Sequence, residues 1–238
     1  MKTCIRLIFA VALVCAALNM AAFADDTASG NAYLYIVQGI PGHDYSATTD
    51  PQFPVDVLID NKVCSERGLS FGTIAGPLTL PAGTYDVKVS VANSLAPCTE
   101  SPFLDTSVTL QANQNVSAVI ALGQTGSPTL LTFNNKFSSV TAGMGRVLFA
   151  QAADAPEVQV IFENTKTKIT STYMVKPGAL LSVSLPAGIY SVTVNEGANL
   201  ISSATVVLSS QSATMLFAVG EASNNSVILE TKTVRDVI

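Results

Sequence analysis

Apolar and polar residues alternate along much of this chain with a period of two. Tyr85-Asp86-Val87-Lys88-Val89-Ser90-Val91 puts Tyr85, Val87, Val89 and Val91 on one face and Asp86, Lys88 and Ser90 on the other, the mark of a strand with one buried face. Val55-Asp56-Val57-Leu58-Ile59-Asp60 and Val158-Gln159-Val160-Ile161-Phe162-Glu163 carry the same alternation, and Tyr33 to Val37 is a β-rich run. Further strands are expected at Ser107–Leu110, Val116–Gly123 and Leu130–Phe133, then at Thr205–Leu208, Thr214–Gly220 and Val227–Glu230. No stretch after residue 24 has a 3.6-residue apolar period, so almost no helix is expected.

These strands fall into two copies. Leu80-Pro81-Ala82-Gly83-Thr84-Tyr85-Asp86-Val87-Lys88-Val89 returns 105 residues later as Leu185-Pro186-Ala187-Gly188-Ile189-Tyr190-Ser191-Val192-Thr193-Val194. Each copy reads as a tight Pro-Ala-Gly turn followed by a half-buried strand. The pattern predicts an all-β chain of two tandem antiparallel β-sandwich domains, over 25–136 and 145–238, joined by a linker at 137–144. Each domain is long enough to bury a core of its own. The copies differ in one place. Aligning Gln38 with Gln151 and Val55 with Val158 leaves about ten extra residues in the first copy, within 39–54. This insertion has three prolines and the only histidine. His43, Asp44, Tyr45, Asp50 and Phe53 are therefore the candidate ligand-binding residues, since binding groups tend to sit on loops of a rigid β scaffold. A solvated insertion without a ligand is the competing reading.

The N-terminus changes the picture of where the chain works. Lys2 and Arg6 precede an apolar run from Leu7 to Ala22, which closes with Ala22-Phe23-Ala24 before Asp25. Residues 1–24 read as a secretory signal peptide, cleaved after Ala24, with a retained N-terminal anchor as the alternative. Cys15 lacks the small preceding residue of a lipoprotein site, since Val14 stands there. No later run is long and uncharged enough for a transmembrane segment. Cleavage leaves ten basic and 17 acidic groups, a net charge of −7. With the cations dispersed, nucleic acid is not an expected partner. Cys64 and Cys98 are the two cysteines that remain, and an exported chain with one pair suggests a disulfide, two separate buried thiols being the alternative.

Chemistry is thinly represented. A nucleophilic triad needs a histidine held by a partner, and His43 lies in no nucleophile motif, so no catalytic residues are assigned. Zinc needs more ligands than this neighbourhood offers. Calcium would have Asp44, Asp50, Asp56 and Asp60 to draw on, without an EF-type spacing. Neither metal nor cofactor is expected. Asn115-Val116-Ser117 and Asn224-Asn225-Ser226 match the glycosylation acceptor pattern, which matters only in a host that reads it.

The motifs quoted above, together with Gly68-Leu69-Ser70-Phe71-Gly72 and Asp154-Ala155-Pro156-Glu157-Val158-Gln159-Val160, resemble the bacterial exported family called domain of unknown function 4397, over essentially all of 32–238. The resemblance implies an immunoglobulin-like or transthyretin-like sandwich in tandem copies. The family's strand-opening histidine has no counterpart: Ala150 stands there in the second copy, and the insertion interrupts the first. The resulting expectation is a non-enzymatic interaction module, exported to the periplasm, cell surface or medium, that binds a protein or polysaccharide of the envelope through loops or sheet edges. A structural spacer is the alternative, and an enzyme the third.

Overall fold

The computed structural model describes residues 30–123 and 126–234. The segment expected to be a signal peptide, Cys15 and the lead-in as far as residue 29 lie outside that range. The first repeat contributes β1 (Asn31–Gln38), the one-turn helix α1 (Gly42–Tyr45), β2 (Val55–Ile59), β3 (Val63–Leu69), β4 (Ile74–Pro81), β5 (Gly83–Val91), β6 (Leu104–Leu110), β7 (Asn115–Leu122) and β8 (Pro128–Asn134). The second contributes β9 (Met144–Gln151), β10 (Val158–Asn164), β11 (Thr170–Val175), β12 (Leu180–Pro186), β13 (Gly188–Glu196), β14 (Asn199–Leu208), β15 (Ala213–Val219) and β16 (Ile228–Val234). The chain is two tandem β-sandwiches. Each pairs a sheet of order β4-β1-β7-β8, or β12-β9-β15-β16, with one of order β3-β2-β5-β6, or β11-β10-β13-β14.

The organising motif is more than a turn. Pro81 closes β4 in one sheet and Gly83 opens β5 in the other, so Pro-Ala-Gly is the corner at which the chain passes between the two layers. Tyr85 fixes it by donating its hydroxyl to the Pro81 carbonyl at 2.6 Å, and Tyr190 does the same to Pro186 at 2.9 Å. The corner also bonds to the chain before each first strand, Ala82 N to Gly30 O and Ala187 N to Gly143 O, both at 2.8 Å.

Two expectations are corrected and two strands are added. The sheets are not wholly antiparallel, because β1 pairs parallel with β7 and β9 with β15. β3 and β11 were not legible as strands. Val91 is not part of the core: at the end of β5 it is 47% exposed, whereas Val87 and Val89 are buried.

Each sandwich has its own core, one built around Leu34, Ile36, Val57, Val89 and Ile120, the other around Phe149, Val160, Phe162, Val192 and Leu216. A third core lies between them. Tyr35, Val37, Val119, Ala121 and Phe133 of the first repeat meet Leu148, Ala150, Met215, Phe217 and Val219 of the second. The β1/β7 sheet therefore packs face to face on the β9/β15 sheet, and the molecule is a stack of four layers. This accounts for the burial of every residue of β15 and of all but the first of β7, since a strand covered on both faces has no solvent side. The segment after β8 is docked as well. Phe137 stands edge-on to Tyr35 at 6.4 Å, Val140 is buried, and buried Asn135 donates to Ser117 Oγ at 2.7 Å.

Candidate functional site

The insertion is folded against the body rather than left in solvent. Ile40 and Phe53 belong to the first core, so its two ends are anchored by apolar burial. Gln38, buried at the end of β1, donates Nε2 to Phe53 O at 2.8 Å and accepts Ile40 N at 3.2 Å, which closes the base of the loop. Between these anchors Gly42 donates to Pro51 O at 3.1 Å. Only glycine fits: a Cβ there would lie 1.7 Å from the Asp50 carbonyl oxygen.

The five candidate residues divide by task. Phe53 is core, and Tyr45 stacks on it with ring centroids 4.7 Å apart. Asp50 turns inward on its own loop, its Oδ1 accepting Gln52 N at 2.8 Å. Asp44 reaches across to the second repeat, where its carboxylate accepts from Asn224 Nδ2 at 2.9 Å and from Ser226 Oγ. Gly220 N donates to Gly39 O at 3.1 Å close by, so the loop after β15 is tied to the insertion at two places. His43 is exposed, and the described residues give its side chain no hydrogen-bonding partner. Loop and seam together form a cleft of about 570 Å³, with His43, Asp44 and Gln52 on one wall, Asn224, Asn225 and Ser226 on the other, and Phe71 and Ile228 among its apolar lining.

The second wall was missed in the sequence. Asn224-Asn225-Ser226 stood out there only as a glycosylation acceptor, and nothing local to it signals that it faces a loop some 180 residues earlier. The four aspartates considered for calcium do not converge. Asp56 is buried and already accepts three backbone N–H groups, from Gly68 at 2.9 Å, Asn93 at 3.1 Å and Cys98 at 2.9 Å. Asp60 accepts Asp86 N at 3.0 Å. Among the described residues, no three His, Cys, Asp or Glu side chains are grouped as metal ligands. Cys64 and Cys98 are bonded, with Cα atoms 5.8 Å apart, and the bridge holds β3 to the 92–103 loop whose amides Asp56 collects. No helix among the described residues is long and apolar enough to cross a membrane.

The class defined by this geometry is a tandem β-sandwich with a cleft at the seam of its repeats. Within that class the chain belongs to the family described as domain of unknown function DUF4397, whose model matches residues 32–161. No curated protein matches it. Among solved structures it is similar to the Bacillus anthracis TIE protein, at 12% identity over 85% of this chain and 34% of that one, with a TM-score of 0.26. The chain thus spans about a third of that protein. It is also similar to a candidate cell adhesion protein from Bacteroides ovatus, at 9% identity over 88% and 98% of the two chains, with a TM-score of 0.23.

Proposed function

We propose that the chain is an exported, non-enzymatic interaction module of the cell envelope or surface, and that it binds a protein or polysaccharide in the cleft between the 39–54 insertion and the 224–228 loop. The observation that carries this reading is the construction of the cleft. One wall is the feature that distinguishes repeat one from repeat two, and Asp44 ties it to the other wall. A cleft set between two braced loops costs little ordering on binding. Its apolar lining with amide, hydroxyl and imidazole groups at the rim suits a ligand that mixes apolar and polar surface. The disulfide supports export, because such bonds persist in oxidising compartments. The isolated His43 supports a non-enzymatic role, since base catalysis requires a partner to hold and tune it. Nucleic acid is outside this proposal.

Deleting the insertion would confuse binding with folding, because Phe53 and Ile40 would leave the core. The test therefore uses surface substitutions. The mature chain is immobilised beside a His43→Ala/Gln52→Ala/Asn225→Ala variant, and both are exposed to envelope extract and purified surface polysaccharide of the native culture. A stoichiometric component retained by the parent and lost by the variant is expected. Equal retention by both places the site elsewhere, and no retention by either favours a spacer that holds other parts away from the envelope.

A further inference from the structure

The geometry points to a second contact surface: the free edge of β11, which we infer receives an extended segment of a partner protein as a fifth strand of the β11-β10-β13-β14 sheet. The inference rests on the interaction-module reading above and adds a site and a partner class to it. A sheet edge presents unpaired backbone N–H and C=O groups, and native proteins blunt it with bulges, charges, proline or a covering segment. The equivalent edge of repeat one is blunted in several of these ways. β3 carries Glu66 and Arg67 in mid-strand and Gly68 at a φ of +64°, its pairing with β2 shifts register twice, and Cys64 bonds it to Cys98.

β11 has none of these devices. It reads Thr-Ser-Thr-Tyr-Met-Val, with no charge, glycine or proline, and pairs with β10 in unbroken register from Thr170 to Val175. It ends its sheet. At the N-terminal end of β11, where the turn from β10 meets the β12–β13 corner, a cavity of about 420 Å³ is lined by Lys166, Ile169 and Ser171 on one side and by Leu185, Pro186, Ile189 and Tyr190 on the other. Ile169 and Met174 are 68% and 57% exposed. Lysines stand outside the strand at both ends, Lys166 and Lys168 before it and Lys176 after it, and all three are exposed. Lys168 is paired with Glu163 at 2.8 Å. Glu157 precedes Val158, the partner of Val175, and so stands across from Lys176; with Glu163 it leaves the three lysines a net excess of one positive charge, most open at Lys166.

The fitting partner follows from these features. Main-chain bonds to β11 require an extended segment without internal proline. The cavity takes an apolar side chain at one end, and the lysines favour aspartate or glutamate on the flanks. Antiparallel self-pairing of β11 across a two-fold axis would bring Lys168 of one copy near Lys176 of the other, so a second copy of the chain fits less well.

The test presents the oxidised mature chain to a displayed library of short random peptides. Enriched peptides are expected to alternate apolar and polar residues, lack internal proline and carry acidic ends. On binding, β11 amides should gain protection from hydrogen exchange while β3 amides do not. Lys166→Glu/Lys176→Glu should weaken the selected peptides about tenfold or more, with unchanged thermal stability. Failure to enrich any peptide overturns the proposal, as does enrichment of peptides that protect the 39–54 and 224–228 loops and are lost with the His43→Ala/Gln52→Ala/Asn225→Ala variant. That second outcome would uphold the cleft while sinking the edge, so the two readings fail separately.

Discussion

Gln38 and Gln151 occupy the same place in their repeats, the last residue of the first strand, and both are fully buried. Their surroundings differ because of the insertion. Gln38 has the Phe53 carbonyl and Ile40 amide as partners, whereas Nε2 and Oε1 of Gln151 find none among the described residues. Removing the partner of a buried polar group costs on the order of 1–3 kcal/mol, while removing an unpaired polar group does not. Gln38→Met should therefore destabilise by about that amount, and Gln151→Met should be neutral or stabilising. Chemical denaturation of the two variants checks this, and a loss of similar size in both would show that the insertion does not determine the role of Gln38. At a second seam position, Glu230 lies on the face of β16 that meets repeat one, beside Gly72. Burial raises its pKa, against a smaller lowering by the Thr231 backbone. A raised carboxyl contributes stability that is present below its unfolded pKa and lost as pH rises through the folded one. Glu230→Gln should thus melt higher than the parent at neutral pH, and the difference should shrink as the solution is acidified through the carboxylate range. A constant difference across that range would rule out titration of Glu230 as its source.

At the scale of elements, the Leu-Pro-Ala-Gly-x-Tyr corner shows what the sequence could and could not disclose. Its turn residues and the alternation after Tyr85 are local signals, and they locate β5 and β13 correctly. Its use as a passage between layers is not local, because it depends on which sheet each flanking strand joins. The Tyr clamp is testable in both copies. Phenylalanine at Tyr85 or Tyr190 should cost on the order of 1 kcal/mol, more at Tyr190, which is the better buried of the two. Equal melting of parent and Tyr190→Phe would exclude the clamp. β3 and β11 escaped notice because edge strands lack a clean apolar face: Val-Cys-Ser-Glu-Arg-Gly-Leu and Thr-Ser-Thr-Tyr-Met-Val show no period of two that distinguishes them from loop. The insertion was identified as the distinctive element by its length and residue types. Its burial was not legible, since Ile40 and Phe53 are core residues inside a segment otherwise rich in proline, glycine and polar groups.

At the scale of the molecule, one signal was present and under-read. Val116-Ser117-Ala118-Val119-Ile120-Ala121-Leu122 and Ala213-Thr214-Met215-Leu216-Phe217-Ala218-Val219 do not alternate, and a run that is apolar on both faces belongs to a strand covered on both sides. In a two-layer sandwich one face of such a strand would meet water, so these runs imply a further layer, which the other repeat supplies. The consequence bears on the disulfide. Considered alone, the bridge spans 34 positions, and the chain-entropy estimate for that loop is roughly 4 kcal/mol, all of it in repeat one. If the repeats melted separately, reduction would lower one transition and leave the other in place. The shared core, with Val119 and Phe217 fully or almost fully buried, opposes that, because unfolding either repeat uncovers an apolar sheet face of its neighbour. The oxidised chain should therefore unfold in a single calorimetric transition, and reduction should move the whole of it to lower temperature. Phe217→Ala, at a cost of about 3–5 kcal/mol, should weaken the seam and begin to separate the repeats. A Val119→Asp/Phe217→Asp variant, with like charges in the seam, should show two transitions of which only one responds to reductant. Two resolved transitions in the unmodified chain, with the upper one indifferent to reduction, would mean that the seam packs the repeats together without coupling their stability.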